Sequence, residues 1–305
     1  MELGEAVPSR VNHQCTVCDS SSFKIMYFPK IEVDDPKILY GAASGIPNAQ
    51  SIVKCKDCGM IFENPRFDSN TVVSGYENSL DAGHDSQHQM RVRSFKNALN
   101  RNQVNLPKAG SVVLDIGTAG GAFLDAAKEF GYEPVGLEPS QYLVEKSLER
   151  GLDVRQGTVE NNALTNKSYD LICLWDVIEH LPEPKQSLIK IHGLLKDDGY
   201  LLINYPDIGT YQAKLAGKKF WWLISVHLHH FSKKSIKDIC RRTGFEIVSY
   251  RRYWQILEFG YLASMAAHYK IPFALQISNK LPNIIKQIPI PYYASQTTAI
   301  GRKIQ

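Results

Sequence analysis

Between Ser111 and Tyr253 the chain alternates short apolar runs with longer segments whose apolar residues recur at helical spacing. The runs predict buried strands and the periodic segments predict amphipathic helices. The predicted strands cover 111–116, 132–138, 152–157, 169–177, 200–206, 245–253 and 297–304. The predicted helices cover 121–131, 140–151, 184–199 and 232–244. This alternation predicts βαβ units, and hence an α/β fold with a doubly wound, mostly parallel, seven-stranded sheet.

Residues with known capping preferences mark the ends of several predicted helices. Ser140 and Ser232 stand where an N-cap is expected, because a serine hydroxyl accepts a hydrogen bond from the first turn. Gly131 and Gly151 stand just past a helix, where the chain turns into the left-handed region.

Composition and turn residues divide the chain into four parts. They are a small zinc-ribbon-like module over 10–66, a linker with lead-in helices over 67–110, the α/β core over 111–253, and an apolar, basic segment with the last strand over 254–305. The lead-in is expected to be helical toward Arg91–Asn102. The proline-punctuated insertion 254–296 is expected to cap a substrate pocket, with a dimer interface as the alternative.

Overall composition is that of a globular protein. Of the 305 residues, 44% are hydrophobic and 22% are charged. The first residues lack the apolar stretch of a secretory signal peptide, and no apolar run has the length of a transmembrane helix. We therefore expect a cytoplasmic protein.

Charge is unevenly distributed along the chain. Residues 211–305 contain 15 Lys or Arg and three Asp or Glu, whereas the first 210 residues contain 20 basic and 28 acidic residues. This asymmetry favours an anionic partner for the C-terminal third. A solvated basic surface without a specific partner is the alternative.

Four of the six cysteines form two C-x-x-C pairs, Cys15 with Cys18 and Cys55 with Cys58. Each pair can turn two thiolates toward one ion, and two pairs supply the four ligands of a tetrahedral structural zinc site. The long gap between the pairs requires an extended hairpin or loop. We therefore expect a structural Zn²⁺, with four unpaired thiols or a redox pair as alternatives.

The segment 112–121, VVLDIGTAGG, predicts a strand, a glycine turn and the start of a helix. Open α/β sheets bind ligands at the carboxyl ends of their strands, where this turn lies. Gly117 permits the sharp turn, and the small side chain of Ala119 lets a ligand approach the backbone. Gly121 begins the helix with an exposed N–H group.

Acidic residues end the first two core strands, at Asp115 and Glu138. A carboxylate at the first position repels a pyrophosphate but accepts a cation, and one at the second position binds ribose hydroxyls. The pair indicates a cationic adenosine cofactor without phosphate, and S-adenosylmethionine fits through its ammonium and sulfonium groups. A dinucleotide site and an ordinary strand–turn–helix are the alternatives.

The succession of motifs resembles the class I S-adenosylmethionine-dependent methyltransferases, which have a Rossmann-like core, over about residues 85–253. The matching motifs are VVLDIGTAGGAFL, VGLEPS, GTVEN, YDLICLWDVIEHLPEP and LLKDDGYLLINYPD. The segments 55–66 and 227–248 resemble a subgroup with an N-terminal zinc-binding cysteine module. That subgroup includes sugar C-methyltransferases and methyltransferases of polysaccharide pathways.

The resemblance implies cofactor contacts at the ends of the first four core strands. These are Asp115, Gly117 and Gly121 at the methionine part, Glu138 at the ribose, Val159 and Glu160 at the adenine, and Trp175 and Asp176 at the reactive end. Ala119 replaces the glycine that is commonest in the family, which puts cofactor affinity in question more than cofactor identity.

Methyl transfer from a sulfonium is an in-line displacement that needs alignment and often a base. Glu179 and His180 follow the fourth core strand, near the expected pocket mouth, and His180 is a candidate base for a hydroxyl or an acidic C–H. Helix capping and packing by these residues are the alternative.

A second group of candidates lies in the segment 227–230. His229 and His230 are expected to act as a base or to contact substrate, and alternation places the rings of His227 and His229 on one side. A metal ion at these histidines is disfavoured because no carboxylate or cysteine accompanies them in the sequence.

The leading prediction is methyl transfer to carbon or oxygen of a small anionic molecule, a nucleotide-linked sugar or a related polysaccharide precursor. The run WDVIEHLPEP stands where methyltransferases of base amino groups carry an Asn/Asp-Pro-Pro-Tyr-like run, so a nucleic acid partner is disfavoured. The alternatives are an RNA methyltransferase docked by the zinc module, methylation of a quinone or lipid-type precursor, and a non-catalytic cofactor-binding partner. Contact with a membrane surface and a homodimer also fit the apolar, basic C-terminal segment.

Overall fold

The structure is a computed structural model that describes residues 9–31, 33, 35–40, 45–77, 87–161, 164, 166, 168–268 and 282–304, without the side chains of 37, 76, 77 and 265–268. The strands are β1 (Phe23–Tyr27), β2 (Ile52–Cys55), β3 (Ile61–Glu63), β4 (Val112–Ile116), β5 (Glu133–Glu138), β6 (Val154–Gln156), β7 (Tyr169–Trp175), β8 (Leu195–Pro206), β9 (His229–His230), β10 (Phe245–Arg252), β11 (Gln255–Glu258), β12 (Pro289–Tyr292) and β13 (Gln296–Lys303).

The α-helices lie before, between and after these strands. They are α1 (Pro36–Tyr40), α2 (Ser69–Glu77), α3 (His88–Asn102), α4 (Ala122–Glu129), α5 (Gln141–Glu149), α6 (Pro184–Leu194), α7 (Tyr211–Ala216), α8 (Lys233–Arg242), α9 (Phe259–His268) and α10 (Asn283–Lys286).

The central sheet has seven strands in the order β10-β13-β8-β7-β4-β5-β6. Pairs within β8-β7-β4-β5-β6 are parallel, and β13 runs antiparallel to both β8 and β10. All seven predicted core strands form, so the prediction of a doubly wound, mostly parallel, seven-stranded sheet is confirmed.

Two hydrophobic cores cover the opposite faces of this sheet, because successive side chains of β4 alternate between them. Leu114 packs with residues of α6 and α8 on one face. Val113 packs with Phe95 of α3 and Phe123 of α4 on the other face. The helices therefore lie on both sides of the sheet, and its carboxyl-terminal edge stays accessible between them.

Most predicted helix ends are confirmed by the backbone. Gly131 and Gly151 have φ angles of 81° and 72° just past α4 and α5. The Ser232 hydroxyl accepts a hydrogen bond from the N–H of Ser235 at the start of α8. Ser140 occupies the N-cap position of α5, but its side chain makes no capping hydrogen bond there.

The predicted helix 184–199 is too long. α6 ends at Leu194, and the next residue begins β8. Leu195 pairs with Tyr169 at the start of β7, ahead of an irregularity in the register. Residues 195–199 therefore form the start of a strand, whereas the sequence pattern predicts that they end the helix.

The N-terminal cysteine module contains a second, smaller sheet of order β1-β2-β3-β9. Strands β1 to β3 form antiparallel hairpins, as the long gap between the cysteine pairs required. The fourth strand comes from the core, since Phe62 pairs with His229 and Ile61 with His230. One sheet thus joins the module to the segment that follows α7.

The C-terminal segment contains an antiparallel pair, β11 with β12, and helices α9 and α10. Part of the expected cap, residues 269–281, lies outside the described residues. Among the residues that are described, no helix combines the length and apolar character needed to cross a membrane.

Candidate functional site

The loop after β4 has a backbone that lets a ligand approach closely. Gly117, Ala119 and Gly121 have φ angles of 70°, 48° and 75°, all in the left-handed region. A methyl group added to Gly117 would lie 2.7 Å from Val177 Cγ2, so this position requires glycine. Ala119 adopts the same backbone region with a side chain, at a cost of about 1 kcal/mol relative to glycine.

Asp115 is the buried acidic group of this loop, with 2% of its surface exposed. Its Oδ1 atom has no hydrogen-bond partner among the described residues. Burial, together with the neighbouring Glu138 carboxyl, raises the pKa of Asp115 to about 8, and the Thr118 side chain and the charge of Arg91 oppose this shift. A buried carboxyl group with an unused oxygen is the arrangement expected where a cationic ligand binds.

Glu138 joins the end of β5 to the same loop. Its Oε2 accepts a hydrogen bond from the N–H of Ala119 at 2.9 Å, and its Oε1 accepts one from the N–H of Ser140 at 3.0 Å. Burial raises the pKa of Glu138, and these backbone donors oppose the rise. The two predicted acidic residues therefore lie beside one ligand pocket.

Helix α3 completes this pocket, which was not expected from the sequence. His88, Arg91 and Phe95 line it beside the loop after β4. The ring centre of Phe95 lies 4.9 Å from that of Trp175, and Phe123 lies 5.4 Å from Trp175. The amphipathic segment before the core, which contains arginine, was the sequence feature that pointed to this helix. A single sequence, however, does not show which helix packs against the strand ends.

The predicted adenine contacts, Val159 and Glu160, differ in their surroundings. Val159 is buried in the core below β6. The Glu160 carboxylate contacts the hydroxyl of Ser187, and Lys190 Nζ donates to the Glu160 carbonyl at 2.8 Å. The side chain of Glu160 thus faces α6, and adenine binding at these two residues stays a prediction.

Asp176 lies where β7 ends, with a φ angle of 55°. Its Oδ1 accepts hydrogen bonds from Asn204 Nδ2 and Gln296 Nε2, both at 2.7 Å. These bonds hold the chain after β7 against β8 and β13, and they direct the following residues away from the sheet.

Glu179, His180 and His227 come together at one corner beyond this strand end. One ligand atom from each side chain lies within 4.8 Å of the other two, and the two imidazole ring centres are 4.8 Å apart. The ground for disfavouring a metal ion at the histidines of 227–230 therefore does not hold for His227, because the Glu179 carboxyl lies beside it. The backbone carbonyl of Glu179 accepts hydrogen bonds from the N–H groups of Leu228 and His229, which brings the two segments together.

Glu179 was expected near a pocket mouth, but its side chain is buried. Only 1% of Glu179 is exposed, and neither carboxyl oxygen has a hydrogen-bond partner in the described part of the chain. Burial and the charge of Asp176 raise the pKa of Glu179 well above its usual range. His180 is half-buried, and burial lowers its pKa to about 4.

His229 and His230 are buried within β9 and do not share this corner. Burial lowers the pKa of His230 to about 4 and that of His229 well below its usual range. His227 precedes the strand in a turn, with its N–H donating to the carbonyl of Ile224. The expected alternation of His227 and His229 therefore does not apply, because His227 is not part of a strand.

By their places in the sequence, Tyr76, Tyr205 and Tyr211 could also reach a substrate. Tyr205 is fully buried in β8, and Tyr211 is exposed at the start of α7. The side chain of Tyr76 lies outside the described residues.

A cavity of about 280 Å³ lies on the other side of Tyr253, between α3 and the end of β10. Arg101, Arg251, Arg252 and Trp254 line it. The Tyr253 ring centre is 5.5 Å from that of Trp175, so this aromatic ring separates the arginine-lined cavity from the first pocket. Two basic residues of the C-terminal third, Arg251 and Arg252, thus line this cavity.

The four cysteines of the N-terminal module converge. Their sulfur atoms all lie within 4.8 Å of one another, with Cys15 Sγ 3.4 Å from Cys58 Sγ and Cys18 Sγ 3.6 Å from Cys55 Sγ. Zinc–sulfur bonds of about 2.3 Å in a tetrahedron place the sulfurs about 3.8 Å apart. The donor set and its spacing are compatible with one structural zinc ion.

Comparison with known proteins identifies a methyltransferase signature. A family model described as "Methyltransferase domain" matches residues 86–250, more than half of the chain. The chain is 24% identical over 163 residues to a mitochondrial ubiquinone biosynthesis O-methyltransferase of Dictyostelium discoideum, covering 47% of this chain and 51% of that protein. It is 29% identical over 147 residues to phosphoethanolamine N-methyltransferase 2 of Caenorhabditis elegans, covering 45% and 33%. The chain therefore spans about half or less of these relatives.

Among solved structures, the chain is similar to one in the complex between the Haloferax volcanii Trm112 methyltransferase activator and a methyltransferase. The TM-score is 0.53 at 16% identity, and the match covers 73% of this chain and 95% of the other. At this identity the similarity shows the fold alone.

Proposed function

The chain belongs to the methyltransferase domain family, and from this premise we propose that it transfers a methyl group from S-adenosylmethionine to an oxygen or an acidic carbon of a small anionic acceptor. The observation that carries the proposal is the buried Asp115 with its unpartnered Oδ1, beside a loop whose backbone lies in the left-handed region. Asp115 and Glu138 together suit a cationic nucleoside and disfavour a phosphate-bearing one.

The residues of the first pocket fit this cofactor. Asp115 would accept hydrogen bonds from the methionine ammonium group, and Glu138 would accept them from the ribose hydroxyls. The loop through Gly117, Ala119 and Gly121 would let the methionine part approach the backbone. Trp175 and Asp176 would border the reactive end, and Val159 and Glu160 would lie toward the adenine. When bound, S-adenosylmethionine supplies an electrophilic methyl group activated by its sulfonium.

Glu179 and His180 are the catalytic residues in this proposal. Val177 contacts the loop at Gly117, so the chain leads directly from the cofactor pocket to this corner. The half-buried imidazole of His180 has a pKa of about 4, so it is neutral at pH 7 and can serve as an electron-pair donor at this corner. His229 and His230 support the corner from β9 as positioning residues, since the N–H of His229 donates to the Glu179 carbonyl while neither side chain belongs to the group of Glu179, His180 and His227.

The acceptor is anionic in this proposal because arginines line the second cavity. Arg101, Arg251 and Arg252 suit phosphate or carboxylate groups, and Trp254 suits a ring. A nucleotide-linked sugar or a related polysaccharide precursor carries both features. A phenolic quinone precursor is the second candidate, because one relative is named a ubiquinone biosynthesis O-methyltransferase.

The cysteine module binds one structural Zn²⁺ in this proposal. The four sulfur atoms within 4.8 Å of one another support it, and no oxidised pair is required. The ion would fix the two C-x-x-C segments against β2. Because β2 and β9 belong to one sheet, it would also fix the position of β9. The zinc is structural because all four coordination positions are taken by protein.

The test is transfer of isotope-labelled methyl from S-adenosylmethionine to separate pools of nucleotide sugars, phenolic quinone precursors and RNA. Label in the nucleotide-sugar pool supports the proposal, and label in the phenolic pool supports the second candidate. Label in RNA, or in no pool despite measurable cofactor binding, contradicts both.

A further inference from the structure

The corner formed by Glu179, His180 and His227 has the composition of a metal site with two imidazoles and one carboxylate. Its three ligand atoms lie within 4.8 Å of one another, although the residues come from segments almost fifty positions apart. An ion with bonds of about 2.1 Å holds its ligands about 3 to 4 Å apart. Small side-chain rotations are therefore enough to close the three groups on an ion.

The hydrogen bonds of the two imidazoles set which nitrogen carries the lone pair. His180 Nδ1 donates to the carbonyl of Val226 at 2.8 Å, and His227 Nδ1 donates to the carbonyl of Trp222 at 2.9 Å. Because a carbonyl oxygen only accepts, the proton of each neutral ring is on Nδ1 and the lone pair is on Nε2. Metal-binding histidines are held in this way by backbone carbonyls.

The carboxyl group of Glu179 is placed where it could bind a cation. It is almost fully buried and neither oxygen has a partner among the described residues. An isolated carboxylate in such surroundings is unfavourable because it has lost its hydration. A bound cation would remove this cost, and the two neighbouring imidazoles would supply its other ligands.

The indole of Trp222 covers one side of this corner. Its ring is stacked on that of His227 with centres 5.6 Å apart, and its Nε1 donates to the carbonyl of Ala294 at 2.6 Å. Trp222 thus makes two contacts with His227, the ring stacking and the carbonyl that accepts from His227 Nδ1. His180, by contrast, is only half-buried, so part of the corner lies at the surface.

We propose that Glu179, His180 and His227 bind a divalent transition-metal ion such as Zn²⁺, distinct from the ion of the cysteine module. Three protein ligands leave coordination positions open to a small molecule.

The catalytic consequence rests on the proposed function. An acceptor hydroxyl that binds the ion loses its proton to solvent at a lower pH than in water. The oxygen then attacks the methyl carbon, the carbon–sulfur bond breaks, and its electron pair stays on sulfur. The products are the methylated acceptor, S-adenosylhomocysteine and one proton. In this arrangement His180 holds the ion and the proton leaves without passing through its imidazole.

The experiment is metal analysis of the full chain after loading with Zn²⁺ and dialysis, without any activity assay. The variants are Glu179→Gln and His227→Gln, with His192→Gln as the matched control, because His192 lies outside the corner and bonds the carbonyl of Ile304. The wild type and the control are expected to retain about two ions per chain, and each corner variant about one.

The ion retained by the cysteines shows that a corner variant is folded, and cofactor binding by calorimetry gives a second check. Equal zinc content in the wild type and both folded corner variants overturns the metal proposal. Loss of one ion without methyl transfer to any acceptor pool leaves the metal proposal standing and contradicts the proposed function instead.

Discussion

The backbone N–H of Ala119 donates a hydrogen bond to Glu138 Oε2 over 2.9 Å, from a residue whose φ angle is 48°. The loop after β4 and the end of β5 are thus joined through a backbone conformation that favours glycine. The hydrogen bond depends on that conformation and not on the alanine methyl group.

Ala119→Gly is therefore expected to stabilise the protein. Removing the strained side chain gains about 1 kcal/mol, part of which is offset by the larger unfolded-state entropy of glycine. The melting temperature should rise by about 1 to 2 °C in calorimetry. Ala122→Gly is the control, because Ala122 is the first residue of α4 and should lose stability on the same change. A lower melting temperature for Ala119→Gly contradicts the strain argument.

Glu138→Gln is expected to weaken binding of S-adenosylmethionine by about tenfold to a hundredfold. The amide keeps the shape of the side chain but loses the charge that strengthens hydrogen bonds to ribose hydroxyls. Titration calorimetry measures the change. Glu133→Gln, at the exposed start of β5, is the control and should leave affinity unchanged. Equal affinities of the two variants would remove Glu138 from the proposed site.

Local patterns explain which parts of this site could be predicted. Asp115 and Glu138 each end a strand, and strand ends follow from alternation within a few residues. The meeting of Glu179 with His227 could not be predicted, since it depends on backbone hydrogen bonds between the loop after β7 and the turn before β9. The contribution of Arg91 depends likewise on how α3 packs, which no short-range pattern encodes.

Stability should fall with rising pH through the titration of Asp115. Its pKa is about 8 in the folded protein, against about 3.9 in an unfolded chain. The folded state therefore binds more protons between these values, so the contribution is full below pH ~4 and is lost as the pH rises through about 8. The slope is on the order of 1 kcal/mol per pH unit at most.

Asp115→Asn isolates this effect. The carboxyls of Glu63 and Glu138 also have raised pKa values and contribute to the wild-type curve, but they are present in both proteins. Urea unfolding at pH 5 and pH 8 should show a smaller loss of stability for Asp115→Asn than for the wild type. Parallel curves would mean that Asp115 is solvated in solution.

Cys58→Ser is expected to release the zinc ion of the module and to lower stability by several kcal/mol, because metal binding contributes directly to folding. The loss should reach the core, since Lys234 of α8 donates to the Cys58 carbonyl at 2.9 Å. Metal analysis and thermal unfolding measure the two effects. Cys240→Ala, at a cysteine buried in the core, should keep the zinc. Unchanged zinc content in Cys58→Ser would show that the ion is held elsewhere.

Arg252→Gln is expected to raise the KM for an anionic acceptor about tenfold and to leave kcat unchanged, because a lost charge-assisted hydrogen bond weakens ground-state and transition-state binding equally. The Arg252 guanidinium lies 5.6 Å from the ring centre of Tyr293, next to the carbonyl of Ala294 that holds Trp222. Arg241→Gln, in the last turn of α8, is the matched control and should behave as the wild type. Steady-state kinetics with the acceptor pool that takes up label measure this change. The KM difference between the wild type and Arg252→Gln should be smaller at high salt than at low salt, because salt screens the charge. A change in kcat with an unaltered KM would instead place Arg252 in the transition state and contradict its assignment to acceptor binding.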